Sequence, residues 1–102
     1  MVNLQVLDLN NNQLLQLSAN FGQLVNLQTL FLSDNKLKQL PASFDQLVNL
    51  QELHIDNNQL EKLPVNFGQL VNLQELHLEN NKLTENQINL IRKNFPDIDL
   101  FS

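Results

Sequence analysis

Leu73-Gln-Glu-Leu76-His-Leu78-Glu-Asn-Asn81-Lys-Leu83 is the stretch whose reading decides the fold. Leu76-His-Leu78 alternates apolar and polar, as a strand buried on one face does. Asn81 follows where the strand must turn, and its amide can both donate to and accept from backbone groups of neighbouring segments. Moved along the chain in steps of 23 residues, the pattern returns without a gap. The inner positions are Leu7, Leu30, Leu53 and Leu76, then Leu9, Leu32, Ile55 and Leu78. The turn positions are Asn12, Asn35, Asn58 and Asn81, followed by Leu14, Leu37, Leu60 and Leu83. Upstream, Val2, Val25, Val48 and Val71 precede Asn3, Asn26, Asn49 and Asn72, then Leu4, Leu27, Leu50 and Leu73. A period of this length means stacked coils that bury one another's apolar sides.

Bulk composition agrees with one small domain. Twenty-four of the 102 residues are leucine, spaced so that no run approaches the ~20 apolar residues needed to span a bilayer. The net charge of −5 gives no general attraction to phosphate backbones or anionic lipid, so neither nucleic acid nor a membrane is the expected partner. The absence of cysteine removes disulfides, thiolate metal sites and thiol nucleophiles together. Residues 1–9 lack the basic stretch and apolar region of a secretory leader, and no Asn-x-Ser/Thr acceptor occurs, so a cytoplasmic location is expected.

The pattern L-x-x-L-x-L-x-x-N-x-L, carried by nearly the whole chain, resembles the leucine-rich repeat family. The 23-residue unit and the segments Leu40-Pro41-x-x-Phe44 and Leu63-Pro64-x-x-Phe67 are similar to the class found in intracellular Ras-scaffold proteins, their plant relatives and many bacterial proteins. That class usually has Ile-Gly where this chain has Phe21-Gly22, Phe44-Asp45 and Phe67-Gly68, and Ser18 stands where later units have proline. A looser descending turn is therefore expected in the first unit. The resemblance implies an α/β right-handed solenoid with a parallel sheet on its concave face. It also implies a protein-recognition role without catalysis or cofactor.

Repeats are expected over residues 2–24, 25–47, 48–70 and 71–83 onward, within one domain, with a C-terminal cap over 84–102. Phe21, Phe44 and Phe67 should stack behind the sheet as core residues. Thr84-Glu-Asn-Gln87 reads as a capping box, followed by Ile88, Ile91 and Phe95 at helical spacing with Arg92 and Lys93 near the helix end. Phe95-Pro-Asp-Ile98-Asp-Leu100 matches the strand spacing at a shift of 22 and predicts a short fifth strand, its edge guarded by Asp97 and Asp99. At the other end Met1-Val2 enters the first strand directly, leaving Leu4, Leu7, Leu9, Leu14 and Leu17 uncovered. This predicts a piece of a longer protein, an engineered chain, or self-association through the uncapped edge.

Outward strand positions form three columns. The first is Val6, Thr29, Glu52, Glu75 and Asp97; the second is Asp8, Phe31, His54, His77 and Asp99; the third is Asn10, Ser33, Asp56, Glu79 and Phe101. With Asp34, this reading puts eight of the eleven acidic residues and none of the six basic ones on one surface. The expected partner-binding residues are Asp8, Phe31, Glu52, His54, Asp56, Glu75, His77, Glu79, Asp97 and Asp99, facing a basic protein partner with an apolar patch for Phe31. A solvated face kept polar for want of a partner is the alternative.

His54 and His77 share a repeat position and should be neighbours among carboxylates. Side chains rising in parallel from an open sheet do not readily close a tetrahedron, so no metal site is expected; ordinary solvated histidines or a pH-sensitive affinity are the other readings. No glycine-rich loop, strained nucleophile turn or cleft accompanies the carboxylates, and an open sheet cannot exclude water, so catalysis is not expected. Two further roles stay open: a targeting segment of a larger kinase, ligase or effector, and an engineered or self-assembling scaffold without natural ligand.

Overall fold

The computed structural model describes residues 3–102; Met1 and Val2, with their expected place in the first repeat, lie outside the described residues. Five strands of three residues each build one parallel sheet: β1 (Val6–Asp8), β2 (Thr29–Phe31), β3 (Glu52–His54), β4 (Glu75–His77) and β5 (Asp99–Phe101), in the order β1-β2-β3-β4-β5. Leu7, Leu30, Leu53, Leu76 and Leu100 pair in register across it. Chain order equals spatial order because each coil returns to the sheet one strand spacing from where it left. Among the described residues no helix is long and apolar enough to cross a membrane.

The core is the sum of the repeated inner positions. Leu30, Leu53 and Leu76 are fully buried, as are Leu27 and Leu50, Leu32 and Ile55, and Leu37 and Leu60. Behind the sheet, short 3₁₀ turns at Phe21–Gln23, Ala42–Gln46 and Phe67–Gln69 carry the return limb. Phe21 stacks on Phe44 at 6.1 Å and Phe44 on Phe67 at 6.4 Å, nearly parallel, which is the expected aromatic spine. The first unit's descending turn is not looser than the others. Phe21 N–H donates to Ser18 O at 3.0 Å, where Phe44 donates to Pro41 O and Phe67 to Pro64 O, and Ser18 Oγ also accepts from Asn20 N–H.

Each of the first four strands ends in the same turn. Asn11, Asp34, Asn57 and Asn80 take the left-handed conformation with φ of 56–60°, which Asn and Asp tolerate better than other side-chain-bearing residues. The next asparagine then joins two coils. Asn58 Nδ2 donates to Leu32 O of the preceding coil and to Ile55 O of its own, while its Oδ1 accepts from Leu37 N–H. Asn35 and Asn81 make the equivalent bonds. Buried backbone groups that a coil cannot satisfy for itself are thereby satisfied by its neighbour.

Helix α1 (Glu85–Asn94) covers the last coil. Its capping box is complete: Thr84 Oγ1 accepts from Gln87 N–H and Gln87 Oε1 accepts from Thr84 N–H. Ile91 and Phe95 are buried, and Phe95 meets Phe67 edge-on at 5.9 Å, extending the spine. The first coil has less cover: Leu15 is 68 % exposed and Leu4 37 %, while Leu7, Leu9, Leu14 and Leu17 are only partly buried.

The register of β5 differs from the sequence expectation. Leu100, not Ile98, lies opposite Leu76, a shift of 24 rather than 22. Phe95 is not the first residue of a strand motif. It ends α1 and is held in the spine, so the chain spends residues 96–98 turning back to the sheet. Asp99 N–H then donates to Gln74 O, the same bond that Glu75 makes to Gln51 O.

Candidate functional site

The polar side of the sheet carries the functional candidates, because a strand with period two sends alternate side chains away from the core. The shifted β5 reorders two of its columns. Asp99 stands beside Glu75 in the first column, giving Thr29, Glu52, Glu75 and Asp99. Phe101 stands beside His77 in the second, giving Asp8, Phe31, His54, His77 and Phe101. Asp97, expected on the sheet, is instead exposed in the turn before β5 and has left the site. Asp99, expected in the second column, and Phe101, expected in the third, each stand one column earlier than the spacing predicts.

The consequence is a continuous stack of four aromatic rings. Phe31 and His54 have centroids 4.7 Å apart, His54 and His77 4.2 Å, and His77 and Phe101 4.3 Å. Parallel strands ~4.8 Å apart impose this spacing, so flat rings in one column stack face to face. Stacked rings show solvent their edges and cover one another's faces. Both histidines are mostly shielded, with side chains 18 % and 19 % exposed. Phe101, at the end of the stack, is 45 % exposed.

Carboxylates flank the ring stack on both sides. Glu52 Oε2 lies 2.6 Å from His54 Nε2 and Glu75 Oε2 lies 2.7 Å from His77 Nε2. A carboxylate only accepts, so each Nε2 carries the proton and donates it. On the other side Glu79 Oε1 lies 3.8 Å from His77 Nδ1, shielded from solvent and without a hydrogen-bond partner. Asp56 Oδ1 accepts from the buried Ser33 hydroxyl at 2.6 Å, and Asn10 Oδ1 accepts from Ser33 N–H. Asp8 is exposed, its Oδ1 accepting from Asn10 N–H.

Among the described residues the close contacts between basic and acidic side chains are all histidine to glutamate; no lysine or arginine reaches these carboxylates. Glu52, Glu75 and Asp99, with Thr29, line a shallow depression on the sheet. At strand spacing, neighbouring like charges repel by ~0.9 kcal/mol even at the dielectric constant of water. Of the ten residues expected at the site, nine therefore share this face and Asp97 does not. A separate apolar cleft of about 280 Å³ lies where the last return limb meets α1, lined by Leu63, Pro64, Val65 and Leu90 among others, and it holds no ionisable group.

Comparison with known proteins agrees with this architecture. Residues 1–93 match the family model described as a leucine-rich repeat region. Among solved structures, LRR protein LIC12759 of Leptospira interrogans superposes with a TM-score of 0.92 at 41 % identity over 97 % of this chain. The chain spans 25 % of the length of that protein. No curated protein matches.

Proposed function

Given that the chain belongs to the leucine-rich repeat family, we propose that it is a recognition unit whose acidic concave face takes up a basic segment of a protein partner. Leucine-rich repeat proteins commonly bind protein partners and are typically non-catalytic. The observation that carries the finer reading is the column of Glu52, Glu75 and Asp99, stacked at strand spacing with no lysine or arginine against it. An extended segment with Lys or Arg at alternate positions would relieve that repulsion, and its field would also speed encounter at low salt. Phe31 and Phe101 mark the two ends of the ring stack and supply apolar anchors. The same negative field opposes nucleic acid and anionic membrane surfaces.

A second reading is favoured by one observation: the chain spans only a quarter of the length of the leptospiral protein it matches. In that reading it is the targeting part of a longer repeat protein, and the apolar first coil meets preceding repeats or a second copy.

The test is selection of binders from a random peptide library, followed by affinity measurement against Glu52→Gln/Glu75→Gln/Asp99→Asn and Phe31→Ala. The expected binders are enriched in Lys and Arg, weaken as salt rises, and lose about tenfold or more in affinity to the charge-removed variant. Binders without basic bias, or equal affinity for both variants and the parent, would refute the reading.

A further inference from the structure

We infer that His54, His77 and Glu75 form a binding site for one divalent transition-metal ion, of the zinc type, on the open face of the sheet. One ligand atom from each of the three lies within 4.8 Å of the other two. Imidazole nitrogen and carboxylate oxygen are the donors that suit zinc and its neighbours in the first transition row, whereas magnesium and calcium prefer all-oxygen sets.

Parallel side chains do not close a tetrahedron unaided, which is the argument against a site when only the sequence is read. Three features of the structure answer it. First, Glu75 Oε2 already meets His77 Nε2 at 2.7 Å and Glu52 Oε2 meets His54 Nε2 at 2.6 Å, so both Nε2 atoms face the carboxylate column; an ion bound by His77 Nε2 and Glu75 would replace the proton between them and spread that pair to about 3.3 Å. Two ring nitrogens on zinc at bonds of ~2.05 Å stand about 3.3 Å apart. From a separation of at most 4.8 Å this needs a closure of about 1.5 Å, within reach of small side-chain rotations on an open face.

Second, the other nitrogen of His77 has an orienting group waiting. Glu79 Oε1 is shielded, has no hydrogen-bond partner, and lies 3.8 Å from His77 Nδ1. With Nε2 on a metal, Nδ1 must carry the proton and would donate it to Glu79. This carboxylate–histidine–metal arrangement fixes the ring and strengthens it as a ligand. Third, the local charge is uncompensated: Glu52, Glu75 and Glu79 lie against the two rings, and among the described residues no lysine or arginine pairs with them. A divalent ion cancels that repulsion where a neutral ligand cannot. The site needs no protein partner, so it stands or falls separately from the recognition of basic segments.

The experiment is calorimetric titration of zinc chloride into the folded chain, repeated with His54→Phe/His77→Phe and with Glu79→Gln. Phenylalanine already occupies this column at Phe31 and Phe101, so the double variant keeps the ring stack and its fold is checked by unfolding. The expected result is one zinc per chain, binding lost in the double variant, and affinity lowered about tenfold by Glu79→Gln. Zinc binding that survives in the double variant would mean that the carboxylates alone attract it. That result, or no binding at millimolar zinc, would overturn the inference.

Discussion

The turn asparagines and the face carboxylates are stacked by the same 23-residue repeat, but stacking does opposite things to them. An amide donates on one side and accepts on the other, so Asn35, Asn58 and Asn81 each bind the coil before them and close a network. A carboxylate only accepts, so Glu52, Glu75 and Asp99 gain nothing from one another and repel. One ladder holds the fold together and the other strains it. The lesson is that repetition alone does not mark a residue as structural; the test is whether copies of that side chain satisfy each other when stacked.

Removing a middle rung of the favourable ladder should have the largest effect. Asn58→Ala strands the Leu37 N–H and leaves the Leu32 and Ile55 carbonyls without its amide, and should cost on the order of 3 kcal/mol in chemical unfolding. Asn12→Ala, at the exposed start of the same ladder, loses bonds only to Leu9 O and Asn10 O and should cost about 0.5 kcal/mol. Equal losses at the two positions would mean that the ladder does not act through neighbouring coils.

The next effect compares two glycines at one repeat position. A Cβ at Gly22 would sit 1.9 Å from the Ser43 carbonyl oxygen, so the return limbs of adjacent coils must separate. At Gly68 its nearest neighbour is the Asn94 side chain at 3.4 Å. Gly22→Ala should lower stability by about 2 kcal/mol, while Gly68→Ala should stay within ~0.5 kcal/mol of the parent, both read by thermal unfolding.

The smallest effect concerns Asp45, the residue between those glycines in the repeat. Burial pushes its carboxyl above the ordinary 3.8, partly offset by the Asn66 N–H that donates to Oδ2, while Oδ1 is shielded without a partner. The folded chain thus keeps this proton to higher pH than the unfolded one, and stability falls as pH rises from the ordinary carboxylate value through the raised one. Asp45→Asn removes the ionisation. Its stability relative to the parent should grow with pH across that window and level off above it; a difference independent of pH would contradict the sign.

Much of this was legible in the sequence because an ungapped repeat puts equivalent side chains in the same register in every coil. Leu7 to Leu76, Asn35 to Asn81 and Phe21 to Phe67 all stack as their spacing requires. The capping box at Thr84 was readable because it is local. Legibility failed where the repeat is interrupted. The distance from α1 back to the sheet depends on where Phe95 packs, which spacing does not encode, so the spacing puts Asp97 on the face and Asp99 and Phe101 each one column too far. The ring stack ending in Phe101 followed only from the corrected register. The Gly22 contact depends on the packing of adjacent coils rather than on the repeat, while the turn at Ser18 closes locally, through that serine's own carbonyl and hydroxyl, where later units have proline.

The most direct test of an unrelieved carboxylate ladder is the unfolding stability of the parent and Asp99→Asn as salt is raised. Asp99 faces Glu75 in register, and its replacement leaves both histidine–glutamate contacts in place. The expected result is a variant more stable by up to about 0.9 kcal/mol at low salt, with the gap closing toward zero by ~1 M, where the screening length falls to about 3 Å. A variant no more stable than the parent at low salt, or a gap that salt does not change, would show that these carboxylates carry no strain for a cation to relieve.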